Sequence, residues 1–350
     1  MGQDGFGERG VWITRVLAVC LIAAAVTATA GCEPDTATSS GGSEDAESTV
    51  PFTGRLVYTD GTDIRALDGQ TGDSMRLGGI EGEIGWSGFA SLTAEGQVIY
   101  ESLDGAESRL HLAGDASADR VLASGITLLH HFSDDTVLAT DDDDTFIVGP
   151  ASQEPRTLGV GPSLAGILSA DRAEFAYTVP VRSDDSTAAV GEHPQRAFVR
   201  ALDGAGTGQQ VTEGSFAIAP LALDTGVFVY ATYQFGGDEQ AEIVLYDRRS
   251  EEATTLASGV RVLDVDAHLG LIAVQSRAED GRIAIMDTND PTAVTVTTFD
   301  ETPPGEAGWA RLTSSGDNLI VSYTNGGDTT LVRYNRDARS SQQVAEFAGA

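Results

Sequence analysis

One motif, repeated from residue 54 onward, constrains this chain more than any other feature. A short apolar strand runs into a turn centred on Asp or Gly, and a second strand follows: "IRALDGQTGDSMRL" from Ile64, "LHLAGDASADRVLA" from Leu110, "FIVGPASQEPRTLG" from Phe146, "FVRALDGAGTGQQV" from Phe198, "IVLYDRRSEEATTL" from Ile243, "IAIMDTNDPTAVTV" from Ile283 and "LVRYNRDARSSQQV" from Leu331. Asp68, Asp203, Asp247 and Asp287, with Asn335, fall at equivalent places after the first strand. Asp and Asn suit that place because their side chains bond the backbone two residues on and seed the turn.

Each copy is preceded by another apolar strand, such as "RLVYT", "EFAYTV" or "NLIVSYT", and most of these by a further one, such as "GWSGFASL" or "GWARLT". Four short strands per unit, with apolar faces that only neighbouring units can cover, predict an all-β chain folded as a β-propeller. About seven four-stranded blades fit the spacing, and six or eight stay within the same pattern. Two β-sandwiches or a parallel β-helix compete, but the unit is long for a β-helix coil and too regular for unrelated sandwiches.

The N-terminal segment follows different rules. Arg9 and Arg15 precede the apolar run Val16 to Ala30, which is short for a transmembrane helix and suits the core of a signal peptide. Its end, Thr29-Ala30-Gly31-Cys32, resembles the lipobox of bacterial lipoproteins, in which small residues admit the signal peptidase and the cysteine thiol accepts diacylglycerol. Thr29 stands where leucine is usual. An ordinary signal peptide and an uncleaved anchor helix are the competing readings. The lipobox resemblance implies residues 1–31 as a signal peptide and Cys32 as the acylated first residue of the mature chain. It also implies an extracytoplasmic protein anchored to the cell membrane, or to the outer membrane in a diderm. Cys20 would leave with the signal peptide, so Cys32 would be the only remaining thiol.

Residues 33–50 are rich in Ser, Thr, Gly and acids, with too few large apolar residues to repay their ordering entropy. They read as a flexible tether, with the lipidated cysteine at 32–50 and the propeller domain at 51–350. Fully extended, the tether spans roughly 60 Å.

The net charge of −32 and pI near 4.2 argue against nucleic acid or an anionic lipid surface as a partner, since both would repel the chain. Its basic residues are all arginine.

"TAEGQVIYES", "SADRAEFAYT" and "TSSGDNLIVSYT", with Trp86 and Trp309 in the strands before the first and last of them, resemble the "W-S-P-D-G-x-x-I-A-F" repeats of TolB-like and related WD40-like propellers. The full motif never appears intact, and the separate N-terminal domain of TolB has no counterpart. The resemblance implies a binding platform.

Catalytic signals are few. Gly85-Trp86-Ser87-Gly88 and Gly161-Pro162-Ser163-Leu164-Ala165 are not nucleophile elbows. The five histidines lack metal-ligand spacing, and the adjacent His130 and His131 would point to opposite faces of a strand. No cofactor is expected beyond the acyl group at Cys32.

One pattern points to a surface. Connections between the second and third strands of successive units emerge on one face, and every unit places acid there. Candidate binding residues are Asp141, Asp142, Asp143 and Asp144, then Asp184, Asp185 and His193 in the long insertion Arg182 to Gln195, and Asp238 with Glu239. Arginine is sparse in these loops. A concentrated negative field would attract cations or a basic envelope protein or cell-wall component. An acidic protein also has acidic loops for solubility alone, and "DDDD" is a weak calcium signal. The alternative is a metal-dependent propeller enzyme of lactonase or lyase type, or a small-ligand binder, using the central channel. Asp264 and Asp266 are its most suggestive acids.

Overall fold

The computed structural model describes residues 55–347, except for short stretches within connections between strands, the longest at 182–193. Its described residues form antiparallel sheets of three, four, four, four, seven and four strands. The chain is all-β, as expected. The seven-stranded sheet contains one strand of double length, Glu252–Asp266, which pairs with Ala241–Asp247 through its first half and with Leu271–Ser276 through its second. Gly259, at φ +64°, lies at the change of partner, so one strand closes a unit and opens the next.

Divided there, the strands form units 1 to 7. Unit 1 comprises Arg55–Thr59, Asp63–Asp68 and Ser74–Gly79; unit 2 comprises Glu83–Leu92, Val98–Asp104, Glu107–Ala113 and Arg120–Ser124. Unit 3 comprises Thr127–Ser133, Thr136–Thr140, Thr145–Val148 and Arg156–Thr157; unit 4 comprises Ala165–Leu168, Glu174–Pro180, Gln195–Ala201 and Gln209–Gln210. Unit 5 runs from Ala217–Asp224 through Val227–Tyr233 and Ala241–Asp247 into the long strand. Unit 6 continues from that strand through Leu271–Ser276, Ile283–Asp287 and Thr295–Thr298. Unit 7 comprises Ala307–Leu312, Asn318–Asn325, Asp328–Asn335 and Ser340–Phe347.

The core lies in the seams between units. Six apolar clusters join successive pairs, from Ile64, Leu77 and Tyr100 between units 1 and 2 to Leu263, Ile285, Leu319 and Val321 between units 6 and 7. Both faces of the sheets of units 2 to 6 are therefore covered, and their second strands read as unbroken apolar runs such as Phe175-Ala176-Tyr177.

Local turn chemistry follows the sequence. Asp68 accepts the N–H groups of Gln70 and Thr71, Asp247 those of Arg249 and Ser250, Asp287 that of Asn289, and Asn335 that of Ala338. The turns in "SADRAE" and "TSSGDN" are one structure. Ser169 N–H donates to Glu174 O as Thr313 N–H donates to Asn318 O, and Arg172 (φ 57°) occupies the left-handed position held by Gly316 (φ 71°). The Ser169 hydroxyl and Ala173 N–H both donate to Asp171 and hold its carboxyl below the usual range.

Candidate functional site

Strand direction alternates within each unit, so connections between second and third strands share a face with those leading from one unit to the next. The former occupy residues 60–62, 105–106, 141–144, 181–194, 234–240, 277–282 and 326–327. Asp184, Asp185, His193, Asp238 and Glu239 lie outside the described residues. The turn at Asp141 to Asp144 is described in full.

Its four carboxylates divide into two kinds. The Asp141 Oδ1 accepts the N–H groups of Asp143 and Asp144, each at 2.8 Å, which closes the turn on itself. Asp144 reaches further. Its Oδ1 accepts from Thr145 at 2.8 Å and from Val160 and Gly161 at 3.0 Å, while its Oδ2 accepts from Gly159 at 3.1 Å. It thereby fastens the connection into unit 4. The Thr140 hydroxyl donates to Asp144 O and accepts from Ser163 N–H, and the Thr145 hydroxyl bonds Gly161 O and Ser163 Oγ. Asp142 and Asp143, at the tip, are exposed. Of the four acids in the run, two brace the turn and two face solvent.

Elsewhere on this face arginines arrive from the strands rather than the loops. Arg76 meets Asp63 at 2.9 Å, and Arg109 meets Asp104 at 3.2 Å and Glu107 at 3.1 Å. The loop sequences alone conceal these partners. On the opposite face, arginines of the hairpins cross between units. Arg248 makes a bidentate pair with Glu174, at 2.6 and 2.9 Å, and Arg336 lies 3.2 Å from Asp287.

The inner-strand acids have partners too. Asp264 accepts from Arg311 at 3.0 Å and from Leu312 N–H at 2.6 Å, so it clamps the first strand of unit 7. Burial pushes its carboxyl above the usual range, against the opposing pull of Arg311. Asp266 accepts the Leu269 N–H. Among the described residues no three His, Cys, Asp or Glu side chains are grouped to hold a metal ion.

Sequence reasoning missed a buried polar set in unit 2. His111 is fully buried, with its Nε2 2.7 Å from Ser102 Oγ and its ring stacked on Tyr100 at a centroid distance of 4.7 Å. Glu101, also buried, accepts from the Ser108 hydroxyl. Strand alternation held the signal. In a sheet covered on both sides, His111 between Leu110 and Leu112 has nowhere exposed to point.

No family model matches the sequence, and no curated protein matches it either. Solved structures do. The β-propeller domain of the Trilobed protease from Pyrococcus furiosus, described as having an open velcro topology, matches at 11% identity and TM-score 0.57, covering 83% of this chain and 93% of that one. An oligogalacturonate lyase from Vibrio parahaemolyticus matches at 9% identity and TM-score 0.53, covering 81% and 84%. TolB from Acinetobacter baumannii is matched at 12% identity and TM-score 0.44 over 85% of this chain, which spans 65% of that protein. At such identities the likeness is one of fold, and the fold of this chain is a β-propeller.

Proposed function

We propose that this chain is an extracytoplasmic β-propeller, held at a membrane by acylated Cys32, that serves as an interaction platform of the cell envelope. Its binding face is the one formed by the connections between second and third strands. The anchor rests on the Thr29-Ala30-Gly31-Cys32 sequence after its apolar run.

The observation that carries the platform reading is the turn at 141–144. Asp142 and Asp143 are held exposed on a base that Asp141 and Asp144 brace with six backbone hydrogen bonds. A braced acidic tip presents charge at little entropic cost on binding, which suits a basic protein or wall component.

The absence of lysine from the sequence simplifies the test. A carbodiimide crosslinker would join the carboxylates of this chain to amines of a partner, with no lysine of its own to compete. The membrane-anchored full-length protein is crosslinked beside a variant carrying D142N and D143N with the acids of 182–195 neutralised. A partner captured by the first and lost by the second supports the reading. Equal capture by both moves the interaction off this face, and capture by neither overturns the platform. A stoichiometric divalent ion retained through dialysis would favour a metal-dependent propeller instead.

A further inference from the structure

The hairpin between the third and fourth strands of unit 4 closes differently from its counterparts. Asp68, Asp247, Asp287 and Asn335 close theirs by accepting backbone N–H groups. Asp203 holds the equivalent place in the sequence, yet it is exposed and makes no hydrogen bond or ion pair among the described residues. Two arginines replace it. Arg200 Nη1 donates to Gly206 O at 2.8 Å and its Nη2 to Gly204 O at 2.5 Å, while Arg156 Nη2, from unit 3, donates to Leu202 O at 2.7 Å. Both guanidinium groups thus converge on the carbonyls of one short stretch, 202–206.

Neither group has a counter-charge. Arg76, Arg109, Arg248, Arg311 and Arg336 pair with carboxylates at 2.6 to 3.2 Å, whereas no carboxylate among the described residues pairs with Arg156 or Arg200. Arg156 is exposed, and water screens it. Arg200 is only 9% exposed, and its buried Nε has no hydrogen-bond partner. Its Cζ lies 5.6 Å from the centroid of the Phe175 ring, a contact much weaker than an ion pair. A guanidinium carries five N–H donors, of which neutral carbonyls here occupy two. A buried cation held by neutral dipoles alone gains strongly from an anion.

We propose that this turn is the lid of an oxyanion site, in which Arg200 binds a carboxylate or phosphate group and Arg156 adds its charge. Binding exchanges the bonds to Gly204 O and Gly206 O for charge-assisted ones, which the planar fork of a guanidinium fits bidentately. The exchange leaves no donor of Arg200 worse served than before.

The backbone suits a lid. Gly206 lies at φ +85°, and a Cβ built there meets nothing within 4 Å, so the middle of the turn has room to swing. Its ends are fixed. Leu202 N–H donates to Ala173 O, and at Gly208, φ +80°, a Cβ would collide with Val199 O. Asp203 stands exposed near the middle, where its like charge opposes an anion and moderates the affinity. The site lies on the face opposite the connections between second and third strands, so it stands or falls independently of the platform reading.

Titration of the isotope-labelled full-length chain with sodium phosphate and, separately, sodium acetate tests the site, with sodium chloride at matched ionic strength as control. The amide resonances of Gly204 and Gly206 should shift and saturate with at least one oxyanion, at a half-point of about 1 to 10 mM, and stay still in chloride. Saturation by phosphate alone, acetate alone or both supports the site and names its source of oxygen ligands. Arg200→Gln should abolish saturation, and Arg156→Gln should weaken binding about threefold to tenfold. Arg156 is exposed, so its variant reports even where Arg200→Gln fails to fold. Asp203→Asn should tighten binding about twofold. Shifts that grow without saturating, that chloride reproduces, or that Arg156→Gln leaves unchanged would overturn the proposal.

Discussion

Replacing Asp144 by alanine separates a braced turn from a loose acidic loop. The carboxylate holds four backbone N–H groups, those of Thr145, Gly159, Val160 and Gly161. Gly159 is exposed, and water replaces its partner at little cost. Val160 and Gly161 are half-buried and Thr145 is buried, and each loses a charge-assisted bond worth roughly 1 kcal/mol after partial rehydration. Asp144→Ala should therefore destabilise by about 2 to 3 kcal/mol, measured by urea unfolding at neutral pH. Asp144→Asn keeps one acceptor oxygen and loses the charge, and should fall roughly halfway. Asp142→Ala and Asp143→Ala, at the exposed tip, should stay within about 0.5 kcal/mol of the parent. Equal, small effects at 142, 143 and 144 would refute the division of the run into bracing and exposed acids.

Gly316→Ala should cost about 2 to 4 kcal/mol in the same assay, because a Cβ there meets Leu271 Cδ1 at 2.7 Å as well as adopting φ +71°. Gly125→Ala, at φ +72° with nothing within 4 Å, should cost only about 1 kcal/mol; equal costs would deny the clash. Because burial raises the Asp264 carboxyl, the folded state holds that proton more tightly than the unfolded chain, so its contribution to stability falls as pH rises from the ordinary carboxylate range through the raised value. Unfolding of the parent and Asp264→Asn should then show the difference shifting in favour of Asn as pH rises from 4 to 7; a shift toward Asp would mean that Arg311 prevails. The buried hydroxyls of Tyr323 and Tyr334, 2.7 Å apart, should couple by about 1 kcal/mol in a double-mutant cycle to Phe; additive single effects would refute the bond. Cys32→Ala should release the protein from the membrane fraction and abolish palmitate labelling, and retention of either would refute acylation at that residue.

The fold was legible because its signals are local. "LDG", "YDRR", "MDTN" and "YNRD" each end a strand with an Asp or Asn whose side chain closes the next turn, and the register of the flanking strands follows from that closure. The acidic face was legible only as composition. Asp144 looks in sequence like its three neighbours, and its role depends on Gly159 to Gly161, brought to it across the whole hairpin of unit 3. Asp264 likewise reads as a channel acid until Arg311, in the next unit, is placed beside it. Turn chemistry lies within a few residues of its cause. Charge pairing across a seam joins residues 47 to 74 positions apart, a distance over which an unaligned sequence carries no pairing signal.

Polar contacts as well as apolar clusters join successive units. A repeat array is stabilised by nearest-neighbour interfaces, so an end unit relies on one seam where an inner unit has two. Among the described residues the apolar clusters run from the seam of units 1 and 2 to that of units 6 and 7, and none joins unit 7 to unit 1. Unit 7 carries polar ties to unit 6, as unit 5 does to unit 4, where Gln195 accepts the Ile218 N–H. Arg261 donates to Ala307 O, Gln275 accepts from Ala307 N–H, Asp264 holds Arg311 and Leu312, and Arg336 reaches back to Asp287. Apolar burial gives such a seam affinity without direction, whereas these bonds fix the first strand of unit 7 in register against unit 6. Removing the Gln275 amide should loosen unit 7 while leaving unit 1 unchanged in hydrogen exchange. Simultaneous loosening of both would show instead that the array closes on itself.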